Sequence, residues 1–207
     1  MDFPVELDHF LAELEQQTSS DELLDFCRKH VLHGIPHVFS DRPNEYYDFK
    51  KLLTKQFAVA FHEIYITGSG KLGFSPHKRT KFDYNSDIDV ALISPSLFDK
   101  IMLEISNFQM NIRNNRAVVR DRELAMYHEF LEYSALGWIR PDKLPISFQM
   151  KTLKDDWFNF FDSISYDKSG VGNYKVAAGV FKSYEHFERY TVSGFENLAK
   201  KRNLERK

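Results

Sequence analysis

The segment from residue 66 to residue 94 contains residue types whose spacing suits chemistry on phosphates. Gly68 and Ser69 follow a short apolar run, and Asp87 and Asp89 open the next one. On a β-strand, residues i and i+2 share one face, so the two carboxylates should point the same way. Two carboxylates this close repel each other unless a cation lies between them. Because Mg²⁺ prefers hard oxygen ligands, the pair predicts a site for Mg²⁺ or Mn²⁺.

The Gly68–Ser69 turn is a candidate anion site. A glycine–serine turn exposes backbone N–H groups, the serine adds a hydroxyl donor, and a helix that starts here directs the positive end of its dipole at an anion. Lys71 follows the turn, and its ammonium could reach the terminal phosphate of a nucleotide. We therefore predict that Gly68, Ser69 and Lys71 bind a nucleotide through its phosphates.

Two better-known phosphate motifs fit this segment less well. A P-loop requires a hydroxyl residue after its lysine, whereas Leu72 stands there, and Tyr65 occupies the position of the first glycine. Gly68, Gly70 and Gly73 do match the G-x-G-x-x-G pattern of a dinucleotide site. That site requires a full helix before its acidic residue, and here a proline-containing basic loop intervenes.

The order of elements is a strand, a Gly-Ser turn, a short helix, a loop and then Asp-x-Asp on the next strand. With the residues GSGKLG and SDIDVALI, this order resembles the signature of nucleotidyltransferases of the DNA polymerase β superfamily. The resemblance covers Glu63 to Ile93, and the compact form is similar to the minimal nucleotidyltransferases of bacterial defence and toxin–antitoxin loci. It implies that Gly68 and Ser69 bind the triphosphate and that Asp87 and Asp89 are the catalytic, metal-binding residues.

The chain departs from this superfamily at one position. The superfamily usually has a third carboxylate on a later strand, where it helps to hold the metal that activates the attacking hydroxyl. The candidate strand here, PISFQMK, offers Ser147 and Gln149 for this third position. Neither side chain supplies a charge, so the second metal site would be weak, filled by another residue or absent.

The resemblance implies an enzyme, a Mg²⁺-dependent nucleotidyltransferase that uses a nucleoside triphosphate such as ATP, or a deoxynucleoside triphosphate. An acceptor hydroxyl would attack the α-phosphorus, and pyrophosphate would leave. The product could be a nucleotide signal or a short untemplated oligonucleotide in antiviral defence, or a nucleotidylated protein or tRNA in a toxin–antitoxin system. Either setting allows a nucleic-acid or protein acceptor and a partner effector or toxin protein. A non-catalytic nucleotide-binding partner is the alternative that the missing third acid leaves open.

The composition sets wider limits on fold and location. The chain has 207 residues, 43% of them hydrophobic, and a formal net charge of −2, which gives no general attraction to nucleic acid or membrane. The single cysteine, Cys27, cannot form an internal disulfide, which favours a reducing compartment. No apolar run could span a bilayer, and the start MDFPVELDHF lacks the features of a signal peptide. We therefore expect a cytoplasmic protein without a membrane partner.

The hydrophobic periodicity predicts an α+β fold, with a polymerase β-like core implied by the resemblance. We expect a single domain over residues 1–207, with a helical N-terminal part (1–60), a catalytic core (61–150) with a small mixed sheet, and C-terminal helices (151–207).

The expected strands are EIYIT, DIDVALI and LPISFQM, and a long terminal helix is expected over residues 172–201. An aromatic stripe on that helix indicates core residues. Its members are Tyr174, Phe181, Tyr184, Phe187 and Tyr190.

Overall fold

A computed structural model of the chain describes residues 5–141, 144 and 151–205. Its α-helices are α1 (Val5–Glu15), α2 (Ser20–Cys27), α3 (Pro43–Phe57), α4 (Gly68–Leu72), α5 (Pro95–Arg113), α6 (Asp121–Ala135), α7 (Lys151–Ile164) and α8 (Tyr184–Glu205). Its strands are β1 (Ile64–Thr67), β2 (Phe74–Ser75), β3 (Thr80–Lys81), β4 (Asp87–Ile93), β5 (Trp138–Ile139) and β6 (Lys175–Phe181). The α+β class is therefore confirmed. No described helix has the length and apolar character needed to cross a membrane.

Four strands form a mixed sheet in the order β1-β4-β6-β5. Strand β4 pairs antiparallel with β1 and parallel with β6, and β5 pairs antiparallel with β6. Strands β2 and β3 form a separate hairpin within the segment that the sequence predicted as a loop. The small mixed sheet with helices before and after it agrees with the prediction.

Strand β4 separates two clusters of buried side chains. Ile88, Val90 and Leu92 point into the larger cluster, which the helices α3, α5, α6 and α7 also supply. Ala91 and Ile93 point to the other face, where α1, α2 and α8 form the smaller cluster. Both faces of β4 are thus covered at its C-terminal end, while its first and third residues remain exposed.

The end of β4 is fixed by Ser94. Its backbone N–H donates to the carbonyl oxygen of Phe181 at 3.0 Å, which extends the pairing with β6. Its hydroxyl accepts a hydrogen bond from the N–H of Leu97 and caps α5, and Pro95 at the first helical position supplies a suitable φ. The chain therefore leaves the sheet at a defined point.

Cys27 is buried in the smaller cluster, as its apolar neighbours in the sequence indicate. Burial, together with the negative charge of Glu188, raises the pKa of its thiol to about 12. Because the thiolate is the reactive form of cysteine, this residue is a packing residue.

The prediction of one helix over residues 172–201 is wrong in its first part. Residues 175–181 form β6, an inner strand, and the helix starts only at Tyr184. Val176 and Val180 point into the larger cluster, whereas Phe181 points into the smaller one. An inner strand buried on both faces lacks the alternating pattern that identifies strands, so periodicity alone does not distinguish it from a helix.

The strand predicted at LPISFQM falls mostly outside the described residues, and so do Ser147 and Gln149. Of that segment only Leu144 is described, and its side chain is buried in the larger cluster. The described strand that flanks β4 opposite β1 is β6.

The packing of β6 against Trp138 can be tested at Gly179. A Cβ added at Gly179 would lie 2.5 Å from Nε1 of Trp138, whose ring is also in contact with Tyr133 and Tyr190. Because the indole cannot move away freely, we expect Gly179→Ala to lower the free energy of unfolding by about 1–3 kcal/mol. Urea denaturation measures this change.

The matched control is Gly194→Ala on α8, where no atom lies within 4 Å of the added Cβ. Its free energy of unfolding should be unchanged or higher by up to about 1 kcal/mol, because alanine favours the helix. Equal stabilities for the two variants would contradict the close contact between β6 and Trp138.

Candidate functional site: the acidic pair on β4 and the Gly68 turn

Asp87 and Asp89 lie at the start of β4 and are both exposed, while Ile88 between them is fully buried. The two carboxylates therefore share one face of the sheet, as the sequence predicts. On β1, Thr67 is the register partner of Asp89, and its hydroxyl donates to the backbone oxygen of Asp89 at 3.3 Å. The pair thus lies on the exposed start of β4, level with the end of β1.

A hydrogen-bonded turn leads into β4. Asp83 accepts a hydrogen bond from the N–H of Asn85 through its carboxylate at 2.9 Å, and its own N–H donates to the hydroxyl of Ser86 at 3.1 Å. The N–H of Ser86 donates to the backbone oxygen of Asp83 at 2.9 Å. These bonds stabilise the chain direction just before Asp87.

The Gly68–Ser69 turn meets the acidic pair in space. Strand β1 ends at Thr67 opposite Asp89, and α4 begins at the next residue. Gly68 has a φ of +59°, in the left-handed region that favours glycine, and a Cβ there would lie 3.0 Å from Oδ2 of Asp89. The glycine therefore leaves room above that carboxylate, and half-buried Ser69 follows it.

Helix α4 is held against the sheet by Gly70. A Cβ at this position would lie 3.2 Å from Cδ1 of Ile88 and 3.3 Å from Cγ2 of Ile66. The absence of a side chain lets the short helix approach β1 and β4 closely. The first two glycines of GSGKLG thus have different roles, because Gly68 faces a carboxylate and Gly70 faces the core.

The ammonium of Lys71 is bound by the loop after α2, a position that does not support its predicted role in nucleotide binding. Its side chain is buried, and its ammonium donates hydrogen bonds to the carbonyl oxygens of His33 and Gly34, the latter at 3.1 Å. Burial lowers the pKa of the amine. This lysine connects α4 to the loop after α2, which the local sequence does not reveal.

Tyr190 of α8 is within electrostatic reach of Asp89. Its ring packs on Trp138 with the centroids 4.7 Å apart, and 49% of the residue remains exposed. Burial raises the pKa of Tyr190, the negative charge of Asp89 and then the neighbouring Tyr133 raise it further, and Arg140 lowers it. The charges of Asp89 and Arg140 thus both act on this hydroxyl. The sequence pattern assigns Tyr190 to the core, since periodicity does not show which helix face borders a site.

Asp87 and Asp89 suit a divalent cation that binds together with a ligand. Asp87 and Asp89 both lie on the exposed start of β4, and Gly68 leaves room above one carboxylate. Among the described residues, no group of three or more His, Cys, Asp or Glu side chains could hold a metal. Mg²⁺ is commonly bound through one or two carboxylates, with water and substrate phosphates as the remaining ligands. This arrangement is therefore suited to a metal that arrives with a polyphosphate.

No protein-family model, curated protein or solved structure matches the chain. The function is therefore inferred from the residues of this site and their geometry.

The position of Lys71 predicts a structural role, which Lys71→Met tests. Removing the ammonium leaves the carbonyl oxygens of His33 and Gly34 without their donor, so we expect the free energy of unfolding to fall by about 1–3 kcal/mol. Urea denaturation measures this loss, and Lys55→Met on the exposed side of α3 is the control, with an expected change within about 0.5 kcal/mol. If the stability were unchanged and triphosphate binding were weaker, Lys71 would instead be a phosphate-binding residue.

Proposed function

We propose that the protein is a Mg²⁺-dependent nucleotidyltransferase with a polymerase β-like core. The observation that carries the proposal is the contact between the Gly68 turn and Asp89, whose Oδ2 lies 3.0 Å from the position of a Cβ at Gly68. A turn with a positive φ beside two carboxylates on one strand face can bind a triphosphate and its cation together. Neither the turn nor the acidic pair alone would support this function.

In this proposal Asp87 and Asp89 hold the cation, and the backbone of Gly68 and the hydroxyl of Ser69 bind the phosphates that leave as pyrophosphate. Bound Mg²⁺ would neutralise phosphate charge and polarise the α-phosphorus. The protein contributes position, because β1 and β4 fix the turn and the carboxylates relative to each other. Lys71 has no part in this assignment, because its ammonium is buried against the loop after α2.

The reaction would join an acceptor oxygen to the α-phosphorus. That O–P bond forms while the bond from the α-phosphorus to the pyrophosphate oxygen breaks, and the acceptor hydroxyl releases its proton. The acceptor is a nucleotide or oligonucleotide, as in the synthesis of a defence signal, or a protein or tRNA, as in a toxin–antitoxin system. Products of these classes differ in size and chemistry, so they can be separated experimentally.

A second candidate function is nucleotide binding without transfer. It is favoured by strand β6, which places Lys175 and Ala177 rather than a carboxylate beside Asp87 and Asp89. Incubating the full chain with each α-³²P-labelled NTP and dNTP, with Mg²⁺ or Mn²⁺, and with RNA and protein acceptors distinguishes the candidates. Free labelled product, labelled RNA or labelled protein indicates transfer, whereas binding without any product indicates the second candidate.

The double substitution Asp87→Asn and Asp89→Asn tests the acidic pair. We expect nucleotide transfer to fall by at least about 100-fold, because the amides bind Mg²⁺ poorly. The double variant should still fold cooperatively, because both carboxylates lie on the exposed start of β4 and not in the core. The measurements are turnover of the labelled nucleotide and urea denaturation.

The control for this experiment is Asp99→Asn, an exposed residue on α5, which should keep wild-type turnover. Wild-type turnover in the double variant would overturn the metal assignment. Failure of the double variant to fold would show that the two carboxylates serve the structure.

Gly68→Val tests the turn. The valine would be strained at a φ of +59°, and its side chain would crowd Oδ2 of Asp89, so we expect triphosphate binding to weaken by at least about tenfold. Isothermal titration calorimetry with a nucleoside triphosphate measures the affinity, and Gly194→Ala on α8 is the control. Equal affinities for the two variants would count against a phosphate site at Gly68.

A further inference from the structure

The strands on either side of β4 bring different groups to the level of the acidic pair. Strand β1 ends there and continues into the Gly68 turn, whereas β6 begins there with Lys175. In the parallel register, Lys175 is the partner of Asp87, and Ala177 is the partner of Asp89. Residues paired in this way point to the same face of a sheet, so Lys175 lies on the carboxylate face.

We infer that the site binds one divalent cation, through Asp87 and Asp89, and that Lys175 supplies the second positive charge by binding the phosphate that is transferred. This inference rests on the proposed function. Among the described residues, the register position next to Asp87 on β6 holds an ammonium group and not an acid.

The charges of the neighbouring groups favour a single cation. A second divalent ion beside Asp87 would need another carboxylate. In the part of the chain that the structure describes, the register partners of the pair are Thr67, Lys175 and Ala177, and no group of three metal-ligating side chains is present. The ammonium of Lys175 also repels a second cation at this position. Lysine binds phosphate as a compact point charge on a flexible stem, so Lys175 can neutralise a phosphate without fixed geometry.

The position of Lys175 identifies which phosphate it contacts. Gly68 lies on the β1 side of Asp89, and Lys175 lies on the β6 side of Asp87, so the two flank the acidic pair from opposite sides. A triphosphate whose outer phosphates lie at Gly68 therefore extends its α-phosphate toward Lys175. The side chain is exposed, so it can meet a ligand without rearrangement of the core.

The test uses the full chain and two probes that do not depend on the nucleobase, namely Mn²⁺ and inorganic tripolyphosphate. Electron paramagnetic resonance titration with Mn²⁺ in the presence of tripolyphosphate should give one protein-bound ion per chain. Lys175→Met should keep that stoichiometry but weaken tripolyphosphate binding in the presence of Mn²⁺ by about tenfold, whereas Lys175→Arg should bind it nearly as the wild type does. Lys175→Asp should add a second Mn²⁺ site.

Lys100→Met, at an exposed lysine on α5, is the control and should change neither the number of bound Mn²⁺ ions nor the affinity for tripolyphosphate.

Two results would overturn the inference. The first is two Mn²⁺ ions bound to the wild type. The second is a tripolyphosphate affinity that stays unchanged both in Lys175→Met and in a second variant, Lys175→Gln. If these lysine variants behave as wild type while Asp87→Asn with Asp89→Asn loses Mn²⁺ binding, the inference fails and the proposed function stands. If the wild type binds neither probe, both fail.

Discussion

The structure depends on one constraint on β4, whose C-terminal end must be buried on both faces while two charges remain at its start. Four consecutive residues, 90–93, are buried between the two clusters. This burial fixes the strand in the middle of the sheet, between β1 and β6. Because side chains alternate along a strand, burial of Ile88 and Val90 places Asp87 and Asp89 together on the opposite face. The apolar end of the strand thus determines where its carboxylates point.

The same constraint positions the groups around the carboxylates. Pairing with β1 places the Gly68 turn beside Asp89, and pairing with β6 places Lys175 beside Asp87. The packing of α8 on the sheet exposes the hydroxyl of Tyr190 to the negative charge of Asp89, which raises the pKa of that hydroxyl. Each of these groups comes from a different part of the chain, so the site depends on tertiary structure and not on one continuous segment.

The sequence predicts the parts of the site that depend on local rules. The Asp-x-Asp pair follows from the two-residue period of a strand, and the turn at Gly68 follows from the conformational freedom of glycine. The orientation of Lys71 is not predictable in this way, because its carbonyl partners lie nearly 40 residues earlier in the chain, at His33 and Gly34. The sequence pattern does not predict strand β6, because an inner strand has no alternation of apolar and polar residues. The apolar residues of β6 also run directly into those of helix α8, so the two together look like one helix.

The parallel pairing of β4 with β6 has a consequence for folding during synthesis on the ribosome. The two strands are separated by α5, α6, β5 and α7, so β4 cannot acquire its second neighbour until most of the chain has been synthesised. Contacts between segments so distant in sequence form late, because closing a long loop costs entropy before any contact compensates it. A nascent or truncated chain would therefore carry the two aspartates and the glycine turn without their β6 flank. The chain acquires a complete site only when its last third has folded.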